Sequence, residues 1–154
     1  MLTIYIDADA CPVKDEVYKV ARRYGLKVFV VANCSMRVPT DPLIELVVRV
    51  GQGFDIVDDW IAEQAEKGDI VITADIPLAA RCIEKKSRVL DPRGKAITVN
   101  DVGAALAMRD LMETLRQAGE ITGGPAPMNQ QHKSKFLAKL DETINSVKRD
   151  MRGS

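Results

Sequence analysis

The chain has 154 residues, of which 46% are hydrophobic and 29% are charged, and its 22 basic residues balance its 22 acidic ones. This length fits one domain, and the balanced charge gives no general electrostatic reason to expect a nucleic-acid or membrane partner. No apolar run reaches the roughly 20 residues that span a bilayer, and the N-terminus lacks the features of a signal peptide, so we expect a cytoplasmic protein.

Strand and helix signals alternate along the chain, which predicts a three-layer α/β fold with a mainly parallel sheet and helices on both faces. Apolar, β-branched runs typical of strands occupy residues 2–6, 27–32, 43–50, 70–73 and 88–90. Helical patterns cover residues 12–24, 55–66, 77–84 and 101–118. A Gly/Pro linker at 123–127 precedes a last amphipathic helix at 133–148, with an apolar stripe of Phe136, Leu137, Leu140, Ile144 and Val147. We expect residues 1–154 to form a single domain.

Acidic residues directly follow two of the predicted strands. Asp7 and Asp9 follow the first strand, and Asp75 follows the strand at 70–73. Because open α/β sheets bind ligands at the carboxyl ends of their strands, we expect these carboxylates to share one crevice. Asp7 and Asp9 repel each other unless a cation binds them, and oxygen ligands favour Mg²⁺ or Mn²⁺.

A second acidic pair, Asp58 and Asp59, lies in the first turn of a predicted helix that begins at the same edge. We therefore predict a metal site with Asp7, Asp9, Asp59 and Asp75 as ligands and Asp58 in support. Such a cluster can hold one or two divalent ions that orient a water and stabilise an in-line phosphoryl transfer. A helix cap is an alternative explanation for Asp75.

Loop residues near this edge are candidate substrate contacts. Asn33, Ser35 and Arg37 follow the second strand, and Arg93 lies in the turn at 91–94. Basic side chains in such loops are suited to phosphate contacts, and RNA or another phosphodiester is a possible substrate. Further basic residues that could contact phosphate at the crevice rim are Arg81, Lys85, Lys86, Arg88 and Lys95.

The cysteines offer no competing site. Cys11, Cys34 and Cys82 are isolated thiols, so their spacing supports neither a disulfide framework nor a zinc site. Cys11 precedes a predicted helix, which can lower a thiol pKa, but we interpret it as a small buried residue.

Several motifs together resemble a known bacterial family. They are Asp7-Ala-Asp-Ala-Cys-Pro12, Asn33-Cys-Ser-Met-Arg-Val-Pro39, Gly68-Asp-Ile-Val-Ile-Thr-Ala-Asp75 and Asp91-Pro-Arg-Gly94. With these motifs the chain resembles the YaiI/YqxD-like family of uncharacterised proteins. That family is grouped with PIN-like domains, whose best-known members are metal-dependent ribonucleases, so the resemblance implies a PIN-like fold and a nuclease-like acidic site. One departure is His132-Lys133, where the family pattern has an acid–arginine pair.

Three functions therefore compete. The first is a divalent-metal-dependent nuclease that prefers RNA to DNA. The second is a phosphatase of the haloacid dehalogenase type, because Asp7-x-Asp9 resembles its nucleophile/acid pair and Thr73 resembles its phosphate-binding threonine. Against this, the acidic pair Asp58 and Asp59 precedes that threonine, whereas the pair in those phosphatases follows it. The third is a non-catalytic PIN-like module that binds nucleic acid or protein. The last two helical segments could cover the sheet or form a homodimer face.

Overall fold

The computed structural model describes residues 2–8, 11–49, 56–104, 107 and 129–152. Its strands are β1 (Thr3–Asp7), β2 (Lys27–Ala32), β3 (Ile44–Val48), β4 (Ile70–Ile72), β5 (Arg88–Leu90) and β6 (Ala96–Ile97). In the described part of the chain they form one six-stranded sheet in the order β3-β2-β1-β4-β5-β6. The first five strands are parallel and β6 is antiparallel to β5. The predicted mainly parallel α/β sheet is thus confirmed.

The labelled helices are α1 (Lys14–Tyr24), α2 (Ile56–Gln64), α3 (Ile76–Glu84) and α4 (Gln130–Arg152), and residues 99–104 are also helical. The helix α4 extends beyond the predicted 133–148 at both ends. The predicted linker at 123–127 and most of the predicted helix at 101–118 lie outside the described residues. Of the helices described, none is long and apolar enough to cross a bilayer.

Side chains alternate between the two faces of the sheet along each strand, and helices pack against the apolar side chains on both faces. In β1, Ile4 and Ile6 are fully buried in a cluster with residues of α1 and α4. Tyr5 lies between them in sequence and packs in a second cluster with residues of α2 and α3. Because both faces of the sheet are buried, strand residues that point to either face are apolar, which explains the continuous apolar runs in the sequence.

The helix α4 supplies a large part of the first cluster. Phe136, Leu140 and Ile144 are completely buried, and Val147 is 2% exposed. Leu137 is partly buried against the same cluster. The apolar stripe predicted for this helix is therefore confirmed.

The strand order has one reversal, which lies between β1 and β4. From β1 the chain continues to β2 and then β3 on one side, and it returns to place β4 on the other side of β1. In open α/β sheets, ligands bind outside the carboxyl ends of the two strands at such a switch point. Asp7 is the last residue of β1, so the fold places it at this position.

Candidate functional site

The pairing register brings Asp7 beside Thr73. Ile6 of β1 pairs with Ile72 of β4, so the residues that follow them are neighbours and point to the same face. The Thr73 hydroxyl donates a hydrogen bond of 2.9 Å to Asp7 Oδ2. Thr73 is only 2% exposed, and Asp7 is half-buried. A hydroxyl group held inside the sheet edge therefore fixes the Asp7 carboxylate.

The same hydroxyl group connects Asp7 to Asp75. The backbone N–H of Asp75 donates to Thr73 Oγ1 over 3.0 Å. Asp75 Oδ1 accepts a 2.9 Å hydrogen bond from the backbone N–H of Leu78, so Asp75 also caps α3. The cap interpretation of Asp75 is confirmed, and the structure also brings this residue to the same strand ends as Asp7.

The loop that follows β1 contains a lysine contact that the sequence analysis missed. Lys14 Nζ donates to the carbonyl oxygens of Ala8, at 3.3 Å, and Cys11, at 2.9 Å. Asp9 lies between these carbonyls in sequence and outside the described residues. A cation in the first turn of a helix opposes the helix dipole, so the lysine at the start of α1 was a usable signal.

Cys11 is a buried residue, as predicted. It is 5% exposed, and burial raises the pKa of its thiol to about 11. The backbone N–H of Val13 and the charge of Lys14 act in the opposite direction, but they do not offset the burial.

The second acidic pair faces α3. Asp59 Oδ1 lies 2.7 Å from Arg81 Nη1, with side-chain exposures of 55% and 46%. Burial raises the pKa of Cys82 on α3 to about 11, and the nearby Asp58 carboxylate adds to that rise. The charges of Asp58 and Asp59 therefore act on α3, and Asp59 has a cationic partner there.

The carboxylates at the switch point have the donor chemistry that Mg²⁺ and Mn²⁺ require. In the described part of the chain, no three His, Cys, Asp or Glu side chains are placed to share a metal ion. Mg²⁺ is commonly held by only one or two carboxylates together with water molecules, and Asp7 and Asp75 supply two carboxylates at these strand ends. The larger ligand set that includes Asp9 and Asp59 stays a prediction.

Three predicted substrate contacts lie on the other side of Asp7 from Thr73. Asp7 pairs with Val31 of β2, and the loop after β2 contains Asn33, Ser35 and Arg37. All three loop residues are exposed. Their positions beside β1 are open to a ligand at the switch point.

Arg93 lies farther along the sheet, in the turn after β5. Its backbone N–H donates to Asp91 Oδ1 over 2.9 Å, and its Nη1 lies 3.5 Å from His132 Nε2. The backbone N–H of His132 donates to Asn129 Oδ1, and Asn129 N–H donates back to His132 Nδ1, which is a reciprocal cap for α4. The departure at His132 thus has a structural role at the start of α4.

Some basic residues assigned to the crevice rim lie elsewhere. Arg88 is the first residue of β5, so Arg88 and the preceding Lys86 lie at the amino ends of the strands, opposite Asp7. Lys85 Nζ donates to the carbonyl oxygens of Ala62, at 2.8 Å, and Glu63, at 3.1 Å. The prediction that these lysines and Arg88 contact phosphate at the rim was wrong, because the two lysines precede β5 and Arg88 is its first residue.

The fold and the site define an α/β protein with carboxylates at the switch point of a parallel sheet. The chain belongs to the uncharacterised bacterial YaiI/YqxD family, whose profile matches residues 5–146. The family assignment made from the sequence motifs is confirmed, and the PIN-like relationship stays a prediction.

Relatives of this family, each called a UPF0178 protein, match almost the whole chain. One from Paramagnetospirillum magneticum is 56% identical over 149 residues, which cover 97% of this chain and 98% of the relative. One from Rhodopseudomonas palustris strain HaA2 is 55% identical over 146 residues, covering 95% and 88% respectively. One from Bradyrhizobium sp. strain ORS 278 is 55% identical over 148 residues, covering 96% and 90%. No solved structure matches the chain.

Proposed function

We propose that this protein is a divalent-metal-dependent phosphodiesterase with RNA as its substrate class. The observation that supports this most is the hydrogen-bonded series Asp7–Thr73–Asp75 at the switch point of the sheet. Two carboxylate-bearing residues are positioned there by one buried hydroxyl group, where open α/β sheets bind their ligands.

In this proposal Asp7, Asp9 and Asp75 hold the ion, and Thr73 keeps Asp7 in a fixed orientation. A bound divalent ion would supply positive charge that polarises the phosphoryl group and favours ionisation of the attacking water. Asn33, Ser35 and Arg37 would contact the neighbouring phosphates and sugars from the loop after β2. Arg93 would reach the substrate farther along the same edge.

The role proposed for Asp59 requires a change of partner. Asp59 would have to leave Arg81, to which it is bound at 2.7 Å, before it could ligate a metal ion. This ion pair is exposed and therefore weak, since such pairs contribute about 0–1 kcal/mol. Asp58 would then support Asp59 from the same turn of α2.

Metal binding is tested by thermal unfolding with and without Mn²⁺ or Mg²⁺. Because the ion binds only the folded protein, it should raise the melting temperature of the wild type. Asp7→Asn should abolish that rise, and Asp59→Asn should reduce it if Asp59 is a ligand. Asp15→Asn, an exposed acid on α1, is the matched control and should respond like the wild type. An unchanged metal response in Asp7→Asn would exclude Asp7 as a ligand.

Catalysis is tested with purified protein, Mn²⁺ and single-stranded RNA. Asp7→Asn and Asp9→Asn should each lower the cleavage rate on the order of a hundredfold or more, because both remove a charged ligand of the ion. Cleavage that survives both substitutions would place the activity in another site or in a contaminant.

The hydrogen bond from Thr73 to Asp7 also favours a second candidate, the phosphatase. There the Asp7 carboxylate would attack phosphorus and displace the alcohol of a phosphomonoester, Asp9 would protonate that alcohol, and water would then hydrolyse the aspartyl phosphate. The Thr73 hydroxyl would contact the phosphate. Hydrolysis of phosphomonoesters without cleavage of RNA would support this candidate. Metal binding with neither activity would leave the non-catalytic binding module as the function.

A further inference from the structure

A cleft of about 510 Å³ lies at the amino ends of the strands, on the edge opposite the candidate active site. Its walls come from the turn before β4, the turn before β5, and the last turns of α4. The described residues that line it are Lys67, Gly68, Lys86, Arg88, Val147, Asp150 and Met151. The backbone N–H of Gly68 donates to the carbonyl of Lys86 over 3.3 Å, which joins the two turns.

Positive charge predominates among these lining residues. Asp150 is the one carboxylate among them, and its Oδ2 lies 2.7 Å from Arg88 Nη2. Neither Lys67 nor Lys86 takes part in an ion pair between described residues. Both lysines are exposed and line the cleft, and their ammonium groups have no carboxylate partner in the described part of the chain.

The backbone at Lys86 gives an independent reason to regard this lysine as functional. Helix α3 ends in a Schellman motif, in which Lys86 N–H donates to Ile83 O and Ser87 N–H donates to Cys82 O. Lys86 occupies the left-handed position of this motif, with φ of 67°, and is the single non-glycine residue with positive φ in the described chain. Helix α1 also ends at a left-handed residue, Gly25 with φ of 66°, and there Leu26 N–H donates to Ala21 O.

Glycine adopts this conformation without strain, whereas a side chain destabilises it by about 1–2 kcal/mol. A lysine kept in such a position is a reason to look for a function of its ammonium group. We propose that the cleft binds a nucleotide, with its phosphate between Lys67 and Lys86 and its base against Met151, which is 47% exposed. The volume is in the range of small-molecule sites, about 300–1,000 Å³, and far exceeds what a lone phosphate fills.

The binding test uses calorimetric titration of the metal-free protein with adenosine 5′-monophosphate, inorganic phosphate and adenosine. The nucleotide should bind at least about tenfold more tightly than either part, since it uses both the cations and the apolar wall. Lys67→Met and Lys86→Gly should each weaken binding about tenfold, because each removes a charge-assisted hydrogen bond. Lys19→Met, an exposed lysine on α1, is the matched control and should bind like the wild type.

Lys86→Gly separates function from stability because its two effects have opposite directions. Release of the left-handed strain should keep or raise the melting temperature, by about 1–3 °C, while nucleotide binding weakens. Unchanged nucleotide binding in both Lys67→Met and Lys86→Gly would overturn the proposal.

A further arm identifies the source of the nucleotide. An oligoribonucleotide with a 5′-phosphate, compared with its 5′-hydroxyl form, distinguishes an RNA terminus from a free mononucleotide. Binding of either source that requires Lys67 and Lys86 supports the cleft.

Discussion

The hydroxyl group of Thr73 is the most constrained polar group at the candidate site. It donates to Asp7 Oδ2 and accepts from the backbone N–H of Asp75, and the residue is 2% exposed. Valine has the same shape but can make neither bond. Thr73→Val should therefore lower the free energy of unfolding by about 1–3 kcal/mol, measured by urea denaturation.

The matched control is Thr73→Ser, which keeps the hydroxyl group and removes only a methyl group. It should retain most of the metal response of the wild type, whereas Thr73→Val should reduce it because Asp7 loses its orienting bond. Equal stability and equal metal response of Thr73→Val and the wild type would contradict the role assigned to this hydroxyl.

At the residue scale, the candidate acidic residues of the site could be named from the sequence, but the side chains that they contact could not. The position of Asp7 at a strand end could be predicted, because an apolar strand directly precedes it. The contact between Asp7 and Thr73 could not, since it depends on which strands are adjacent and on their register. For the same reason the pairing of Asp59 with Arg81 was not foreseen: it requires α2 and α3 to pack side by side on one face.

At the element scale, long apolar strands were predictable and short edge elements were not. The limits of β2 at Lys27–Ala32 agree with the sequence pattern because a continuous buried strand has a clear apolar signal. The two-residue strand β6 has no such signal and forms because the turn at 91–94 reverses the chain. In that turn Asp91 Oδ1 accepts from the backbone N–H groups of Arg93 and Lys95, both at 2.9 Å.

Asp41, in the loop between β2 and β3, contacts Arg22 of α1 and should make the free energy of unfolding depend on pH. Its carboxylate accepts hydrogen bonds from Leu43 N–H and from Arg22 Nε, both at 2.8 Å. Both bonds stabilise the ionised carboxylate and lower the pKa of Asp41 below 3.8, and the bond from Leu43 has the larger effect. A carboxyl pKa that is lower in the folded state stabilises the fold above the unfolded value, and this contribution is lost as the pH falls through the folded value. Asp41→Asn should therefore be less stable than the wild type at pH 7.

The stability difference between Asp41→Asn and the wild type should narrow as the pH is lowered from about 4, which urea denaturation across that range can measure. Asp15→Asn, an exposed acid on α1, is the control and should leave the shape of this pH profile unchanged. A difference that is constant with pH would show that the Asp41 charge does not act through these contacts.

The turn after β5 packs directly against the backbone of α4, and Gly94 is the point of contact. Gly94 has φ of 86°, and a Cβ there would lie 3.0 Å from Phe136 Cα and 3.1 Å from Lys135 O. Because backbone atoms cannot move aside, Gly94→Ala should add a clash to the left-handed strain. We expect it to lower the free energy of unfolding by about 2–4 kcal/mol.

Gly25→Ala is the control for Gly94→Ala. Gly25 has a similar φ of 66°, but a Cβ there would have nothing within 4 Å. It should lower the free energy of unfolding by only about 1 kcal/mol, from backbone strain alone. If urea denaturation gave the two variants equal losses, the close contact of Gly94 with α4 would not contribute to stability.

At the scale of the whole molecule, one sheet separates two apolar clusters, which the alternating strand residues connect. Ile4 and Ile6 of β1 belong to the cluster with α1 and α4, and Tyr5 belongs to the cluster with α2 and α3. A substitution that destabilises one cluster should therefore also destabilise the other, because both clusters share the same strands. A single domain, as the sequence predicts, should unfold in one cooperative transition.

The single tryptophan allows this cooperativity to be tested. Trp60 on α2 packs edge-on against Tyr5 and Phe29, with ring centroids 6.1 Å and 5.7 Å away, on the face opposite Phe136. Phe136 is fully buried, so Phe136→Ala should lower the free energy of unfolding by about 3–5 kcal/mol. In urea denaturation, the Trp60 fluorescence transition and the far-UV circular dichroism transition should shift to the same lower midpoint. A fluorescence midpoint that stayed at the wild-type value would mean that the two faces unfold separately, and the protein would not be one cooperative domain.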